Sequence, residues 1–214
     1  MRVKKGSKRI RKILTGTHTC VVSPNILKFA ELTECIIDAE NSSRLNSSWG
    51  YSFLHNSTKT FLFKLHNNIL GLNSRVAHFV RDHSSTCTFC DITFEPEENV
   101  ETTKHLFFEC RHVDNILTAF YTWIFNAETP RFVSRREFFV GFNLECDFKN
   151  KTLNIISHLV KKFIWECKTR FSIPTIECAK KSVISDLELI TKLSPKTKRI
   201  FNATDLFNNI DIRF

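Results

Sequence analysis

The chain has little of what tight turns require: five glycines and five prolines in 214 residues, beside one methionine and two tyrosines. Many-stranded β-sandwiches and barrels need frequent turns, and turns draw on glycine and proline. The low content of both therefore disfavours such folds. The apolar share is still 42%, with 21 phenylalanines, which is enough to build a core. Together these observations favour a mainly α-helical protein.

Long apolar runs are absent as well. No window of the sequence approaches the roughly 20 apolar residues that a membrane-spanning helix requires. The charged N-terminus is not followed by the apolar stretch of a signal peptide. We therefore expect an intracellular protein, nuclear or cytoplasmic and not secreted, with no membrane partner. In a reducing compartment, paired cysteines and histidines indicate metal binding rather than disulfides.

Several catalytic signatures are also missing. The chain contains no Asp-Asp pair of the polymerase type, no Gly-x-x-x-x-Gly-Lys phosphate loop and no Gly-x-Ser-x-Gly nucleophile elbow. It lacks the His-x-Glu and Pro-Cys-x-x-Cys pairs of zinc deaminases. The sequence thus predicts that the chain is not an enzyme by itself and takes no small-molecule substrate.

Four candidate metal ligands stand out. Cys87, Cys90, His105 and Cys110 form the pattern Cys-x2-Cys-x14-His-x4-Cys. Structural Zn2+ sites are tetrahedral with four N or S ligands, and two closely spaced pairs need only short loops to supply them. Three thiolates and one imidazole leave no open position, so we predict one structural Zn2+ ion. The alternatives are ordinary half-buried cysteines with an unrelated histidine, and His112 as a rival fourth ligand.

The net charge of +9 and the pI of about 9.2 favour a polyanionic partner, nucleic acid before an acidic membrane surface. Residues 1–14 hold seven Lys or Arg residues, which indicates either a nuclear localisation or nucleic-acid-binding arm or a solvated tail. Further cations near the candidate ligands, or on the polar face of a predicted helix, are predicted to contact phosphates. They are Arg75, Arg81, Lys104, Arg111, Lys161, Lys162 and Lys168.

Hydrophobic periodicity and capping signals predict where the helices lie. They are expected at residues 24–39, 58–70, 73–80, 102–110, 111–125, 135–140, 150–171, 175–193 and 195–207. Ser134 and Glu137 form a capping box, and Gly71 and Gly141 are predicted to end the helices before them. The predicted organisation is a basic arm (1–22), a helix with a polar linker (23–48), a pre-knuckle helix with the zinc knuckle (49–113) and a C-terminal helical region (114–214).

The residues around the ligands resemble a known family. Residues 101–110, ETTKHLFFEC, are similar to the Glu-Thr-x-x-His-Leu-Phe-x-x-Cys half of a zinc-binding (CCHC) region. That region follows the polymerase in non-LTR (LINE-type) retrotransposon reverse transcriptases. Residues 72–77, LNSRVA, resemble the segment before its first cysteine pair. The family often has Pro-Leu between the first two cysteines and Gly after them, where this chain has Thr88-Phe89 and Asp91.

This resemblance implies a region that lies beside the template or target strand and contacts RNA or DNA. The first hypothesis is therefore a zinc-stabilised nucleic-acid-binding module that is catalytically inactive by itself. The alternatives are a zinc-stapled scaffold that binds a partner chain, such as a separate reverse transcriptase, and a degenerate retroelement fragment. Salt dependence separates the first two, because only phosphate contacts weaken steeply as salt rises.

Overall fold

The computed structural model describes residues 24–35, 54–92, 99–142, 147–195, 198 and 201. Helices account for 67% of this part of the chain, and its one strand pairing is an isolated bridge between Thr86 and Val100. The prediction of a mainly α-helical fold is therefore confirmed. The basic arm, the polar linker at 41–48 and most of the predicted helix at 195–207 lie outside the described residues.

Over these ranges the chain forms eight α-helices and one π-helical turn. They are α1 (Pro24–Thr33), α2 (Asn56–His66), α3 (Asn73–Val76), α4 (Thr88–Ile92), the π-helical turn (His105–Glu109), α5 (Arg111–Ile124), α6 (Arg135–Phe139), α7 (Asp147–Thr169) and α8 (Ile176–Leu193). The last four agree with their predicted positions to within a few residues. The capping box of Ser134 and Glu137 is present at the start of α6.

Helix α7 is the centre of the fold. It packs against α2, α6 and α8, while α5 packs against α8 and the π-helical turn. The apolar pattern of α5 predicts a buried face, and all but one of its six side chains are buried in one continuous core, while Trp123 is half-buried against it. The buried ones are Val113, Ile116, Leu117, Phe120 and Ile124. The aromatic side chains on that stripe therefore pack in or against the core, as their helical spacing predicts.

Helix α1 is shorter than predicted. It ends at Thr33 and not near residue 39, because Glu34 adopts a left-handed conformation with φ of 52°. The amide of Cys35 then donates to the carbonyl of Ala30 at 2.9 Å. This is the Schellman arrangement that satisfies the last carbonyls of a helix, formed here without a glycine.

Helix α2 ends in the same way, so the prediction that Gly71 caps it is wrong. The left-handed residue is Asn68, with φ of 51°, and the amide of Ile69 donates to the carbonyl of Lys64 at 2.8 Å. Asparagine tolerates this conformation better than most residues. A glycine is required elsewhere, at Gly141, because its φ is +127° and a Cβ there would lie 2.9 Å from the Asn154 side chain.

Titratable side chains are buried where α1, α2 and α7 meet. His66 and Lys161 are each 1% exposed, and the ring centroids of His66 and His158 are 6.4 Å apart. The Lys161 Nζ lies 5.1 Å from the centroid of the Phe138 ring. Burial lowers the pKa of His66 to about 3 and that of Lys161 to about 7, and it also holds the pKa of His158 well below its usual range. Burial instead raises the pKa of the nearby Cys35 thiol.

We expect the free energy of unfolding to rise with pH between about pH 7 and pH 9. The folded pKa of Lys161 is about 7, below its ordinary value of 10.5, so the unfolded chain binds more protons in this window. Stability rises with pH wherever the unfolded state holds more protons, by up to about 1.4 kcal/mol per pH unit for one group. Below the ordinary histidine pKa of 6.5, His66 and His158 add a slope of the same sign.

Chemical denaturation of the metal-loaded protein across this range measures the effect. The matched control is Lys161→Met, which keeps the aliphatic stem over Phe138 and removes the charge. The slope between about pH 7 and pH 9 should fall by up to about 1.4 kcal/mol per pH unit in this variant. An unchanged slope would show that Lys161 does not titrate in the folded protein.

Candidate metal centre

Backbone pairing brings the two halves of the candidate site together. Thr86 forms the antiparallel bridge with Val100, and the amide of Cys87 donates to the carbonyl of Asn99 at 2.7 Å. This pairing closes the long loop between the two ligand pairs at its base. As a result, Cys87 lies beside the strand-like segment that leads to His105.

A π-helical turn aligns the second pair of ligands. In an α-helix, with 100° per residue, residues five apart are about 140° apart around the axis and face different directions. Here the amide of Cys110 donates to the carbonyl of His105 at 2.8 Å, which closes a wider i→i+5 turn. Thr102 accepts a hydrogen bond from the His105 amide through its hydroxyl at 3.0 Å and begins the turn. The x4 spacing therefore suits a π-helical turn, which brings both side chains to one side.

The four ligand atoms lie within 4.8 Å of one another. The Sγ of Cys110 is 3.9 Å from the Sγ of Cys87 and 3.8 Å from that of Cys90. The Nε2 of His105 is 3.5 Å from the Cys90 Sγ. A tetrahedral Zn2+ ion with its usual bond lengths separates two sulfurs by about 3.8 Å and a sulfur from a nitrogen by about 3.6 Å. The four residues therefore have the spacing of a tetrahedral metal site.

The spacing does not fit disulfide bonding. A disulfide requires a sulfur–sulfur distance of about 2.05 Å, and the three cysteines of the cluster are free thiols. Cys110 lies about equally far from both other sulfurs, whereas a disulfide would select one of them. A central ion that all three sulfurs share explains this arrangement better than any pairwise bond.

The three sulfurs are buried, and backbone amides donate hydrogen bonds to two of them. Cys87 and Cys110 are fully buried and Cys90 is 3% exposed. The sulfur of Cys87 accepts hydrogen bonds from backbone amides of its own turn, including that of Cys90, and Cys110 accepts one from the amide of His112. Without a metal, the hydrogen bond between Cys110 and Cys87 lowers the pKa of Cys87 and raises that of Cys110. Such a closed, buried set of ligands is typical of structural sites.

The rival ligand His112 does not belong to this cluster. The group that can hold a metal ion contains His105, whose ring nitrogen lies 3.5 Å from the Cys90 Sγ, and the backbone amide of His112 donates to Cys110. The prediction that His105 is the histidine of the set agrees with the geometry.

Glu101 holds the site in place, a role that the sequence analysis missed. Its side chain is 0% exposed. The carboxylate accepts hydrogen bonds from the Thr88 amide at 2.9 Å and the Thr88 hydroxyl at 2.8 Å. It also accepts one from the Asn73 amide at 2.8 Å and pairs with the Lys168 Nζ at 3.3 Å. One buried carboxylate thus joins the first cysteine pair to α3 and α7.

The signal for this role was in the sequence. Glu101 and Asn73 belong to the two segments that carry the family resemblance, and the structure joins those segments by hydrogen bonds. The Asn73 side-chain amide donates to the Thr86 carbonyl at 2.8 Å, and the Ser74 hydroxyl donates to the Glu101 carbonyl at 2.7 Å. A buried acid cannot be recognised from spacing alone, because its partners come from three separate parts of the chain.

The prediction of an exposed basic face on α7 is wrong for Lys161 and Lys168. Lys161 is 1% exposed and Lys168 is 9% exposed. Lys168 donates to the Gly71 carbonyl at 2.8 Å in addition to its pairing with Glu101. The reason is that α7 has helices on several sides and little solvent-facing surface. These two lysines therefore lie in the interior, where they are not available to a phosphate.

Two further lysines that were predicted to contact phosphates form ion pairs with carboxylates instead. Lys162 lies 3.0 Å from Asp186, in α8, and 3.5 Å from Glu166. Lys104 lies 2.6 Å from Glu34 and 3.0 Å from Glu109. A phosphate would have to compete with these carboxylates for either lysine.

The three predicted arginines lie closer to the surface. Arg81 and Arg111 are exposed and Arg75 is half-buried. Arg75 is part of α3, and Arg111 follows Cys110 directly. They remain the predicted phosphate contacts with access to solvent.

Comparison of the chain with protein-family models, curated proteins and solved structures finds no match. The resemblance to the zinc-binding region of retrotransposon reverse transcriptases therefore remains a prediction that rests on the quoted residues. Among the described helices, none has the length and apolar character needed to cross a membrane. What the geometry establishes is a mainly α-helical protein with a buried Cys3His group that can hold a metal ion.

Proposed function

We propose that the protein is a nucleic-acid-binding module whose fold is stabilised by one structural Zn2+ ion, with no catalytic step of its own. The ligand set supports zinc, because three thiolates and an imidazole at tetrahedral spacing are typical of structural zinc sites. The ion would be held by Cys87, Cys90, His105 and Cys110. Buried on nearly all sides, it would have no open position for a substrate.

The observation that carries the nucleic-acid proposal is the position of two solvent-accessible arginines, Arg75 and Arg111, relative to this group. Arg111 directly follows the ligand Cys110. Arg75 lies two residues after Asn73, whose amide is bonded to Glu101. The metal group and the Glu101 network therefore fix cations at the surface of a chain whose net charge is +9. Fixed cations on a basic domain favour binding to a polyanion through its phosphates.

Two measurements on the full chain test the proposal. Elemental analysis of the purified protein should find one zinc per chain. Fluorescence anisotropy with labelled RNA and DNA should show binding that weakens roughly 10- to 1000-fold when salt rises from about 50 to 200 mM. Zinc-free protein, or binding that does not respond to salt, would contradict the corresponding half of the proposal.

A protein-interaction scaffold is the second candidate, favoured by exposed apolar side chains. Phe132 is 70% exposed, Phe171 76% and Leu193 63%, although the chain buries most of its described phenylalanines. Large exposed apolar groups are typical of interaction surfaces when they are contiguous. Binding to a partner through such groups should barely change over the same range of salt, which separates the two candidates.

A further inference from the structure

A groove lies beside the four candidate metal ligands, and its lining includes cations, hydroxyls and a phenylalanine ring. Its volume is about 330 Å3, within the range of roughly 300 to 1,000 Å3 that is common for ligand sites. Its walls come from α1, α3 and the segment just before the π-helical turn. The lining residues that carry the argument are Lys28, Arg75, Phe79 and Thr102. No carboxylate is among the described residues that line it.

The walls of this groove are tied to the metal group. Thr102 begins the turn that holds His105, and α3 is joined to Glu101 through Asn73. The end of α1 is linked to the same turn by the ion pair of Glu34 with Lys104. Two walls of the groove are therefore joined to the metal group, and Phe79 lies in the turn that directly follows α3.

Phe79 is the most exposed large apolar side chain of the described residues, at 84%. Exposing an aromatic ring of this size to water is unfavourable, and most of the described phenylalanines are buried. The ring lies on the groove that also presents Lys28 and Arg75. An aromatic platform beside cations is the combination by which proteins bind single-stranded nucleic acids, with bases on the ring and phosphates on the cations.

A second groove of similar size also has cations and aromatic rings, but a carboxylate is among its lining residues. It has a volume of about 370 Å3 and is lined by Lys64, Lys162 and Trp165, but also by Glu166. Lys162 is paired with Glu166 and Asp186, so the local positive charge is largely neutralised. The comparison favours the first groove as a polyanion site and provides control positions in the second.

We propose that the groove lined by Lys28, Arg75, Phe79 and Thr102 binds a single-stranded segment of RNA or DNA. The backbone phosphates lie against Lys28 and Arg75, and one unstacked base packs on the Phe79 ring. This inference deepens the function proposed above and depends on it. It adds a location and a preference for single strands, since the bases of a duplex are already stacked and have no free face for Phe79.

The decisive variant is Phe79→Ala in the zinc-loaded full chain. Affinity is measured by anisotropy with a labelled single strand of about 12 nucleotides, as RNA and as DNA, and with a duplex of the same length. Loss of one stacked base should weaken single-strand binding about 5- to 100-fold, while duplex binding and the salt dependence stay the same. The matched control is Phe132→Ala, an exposed phenylalanine outside the groove, which should leave both affinities unchanged.

A charge variant tests the phosphate contacts separately. Arg75→Ala should weaken single-strand binding and lower the slope of log affinity against log salt by about 0.7, the value for one phosphate contact on a single strand. Lys64→Ala removes an exposed cation from the second groove and should leave the slope unchanged. A difference between the RNA and DNA strands in these variants would show whether the groove contacts the 2′-hydroxyl.

The outcomes separate the inference from the function on which it rests. If wild-type protein binds no nucleic acid in a salt-dependent manner, both fail, and binding of a protein partner becomes the better explanation of Phe79. If it binds but prefers duplex, or if Phe79→Ala leaves single-strand affinity unchanged, the groove is not the site and the broader function stands. A selective loss of single-strand binding in Phe79→Ala, with normal zinc content, supports the inference.

Discussion

Replacing Cys110 by serine should remove the metal ion and unfold the segment from about residue 87 to residue 112. Cys110 lies within 4 Å of both other sulfurs. Its replacement therefore leaves the metal ion with three ligands and an open position. Structural zinc contributes on the order of 10 kcal/mol to the folding of small zinc domains. We expect a loss of several kcal/mol here, because part of the core would survive without the metal. Helices α7 and α8 pack against each other and bury apolar side chains such as Ile156 and Leu187.

Elemental analysis, thermal unfolding and hydrogen exchange together measure this effect. In Cys110→Ser, amides of the π-helical turn and α4 should exchange rapidly, while those in the middle of α7 remain protected. The control is Cys167→Ala, which removes a buried cysteine outside the cluster. It should keep one zinc per chain and lose only the modest packing energy of a small buried side chain. A Cys110→Ser protein with normal metal content and wild-type melting temperature would show that the four residues are ordinary core.

The four residues that can hold a metal ion were predictable because their chemistry and spacing are local properties of the sequence. Cysteine and histidine are the residues that bind zinc, and two close pairs restrict the possible geometries. The π-helical turn explains why His105 and Cys110 are five residues apart in the sequence. An α-helix would place side chains with this spacing on different sides. The choice between His105 and His112 depended on this turn, so only the structure could make it.

Periodicity located the helices but misjudged what surrounds α7. A helical stripe identifies the most apolar face and carries the assumption that the opposite face meets solvent. Lys161 and Lys168 break that assumption, since neighbouring helices cover them and distant residues supply their partners, Phe138 and Glu101. Two helix ends were also misplaced. Gly71 was expected to end α2, and α1 was expected to continue to about residue 39, whereas Asn68 and Glu34 adopt the left-handed conformation and end these helices earlier.

Replacing Glu101 by glutamine should destabilise the protein by about 3 to 5 kcal/mol, the usual cost of removing one member of a buried ion pair. Glutamine has nearly the same shape, but it leaves the Lys168 ammonium without a counter-charge in the interior. Both carboxylate oxygens accept hydrogen bonds, one from Asn73 and the other from Thr88. Glutamine replaces one of these acceptor oxygens by an NH2 donor, so at least one of the hydrogen bonds is lost. The destabilisation should appear as a lower denaturant midpoint of the zinc-loaded protein.

The same substitution should weaken metal binding, because Thr88 lies between the first two ligands and is held by Glu101. Loss of a residue that orients metal ligands typically lowers metal affinity about 10- to 100-fold, which a zinc competition titration measures. Glu109→Gln is the matched control, since Glu109 directly precedes Cys110 but forms ion pairs at the surface. Such pairs contribute about 0 to 1 kcal/mol, and the control should keep full metal affinity.

Combining Glu101→Gln with Lys168→Met should restore part of the stability, because the second change removes the unpaired charge. If the double variant is instead as unstable as the sum of the two single variants, the hydrogen bonds to Asn73 and Thr88, and not the ion pair, account for the role of Glu101.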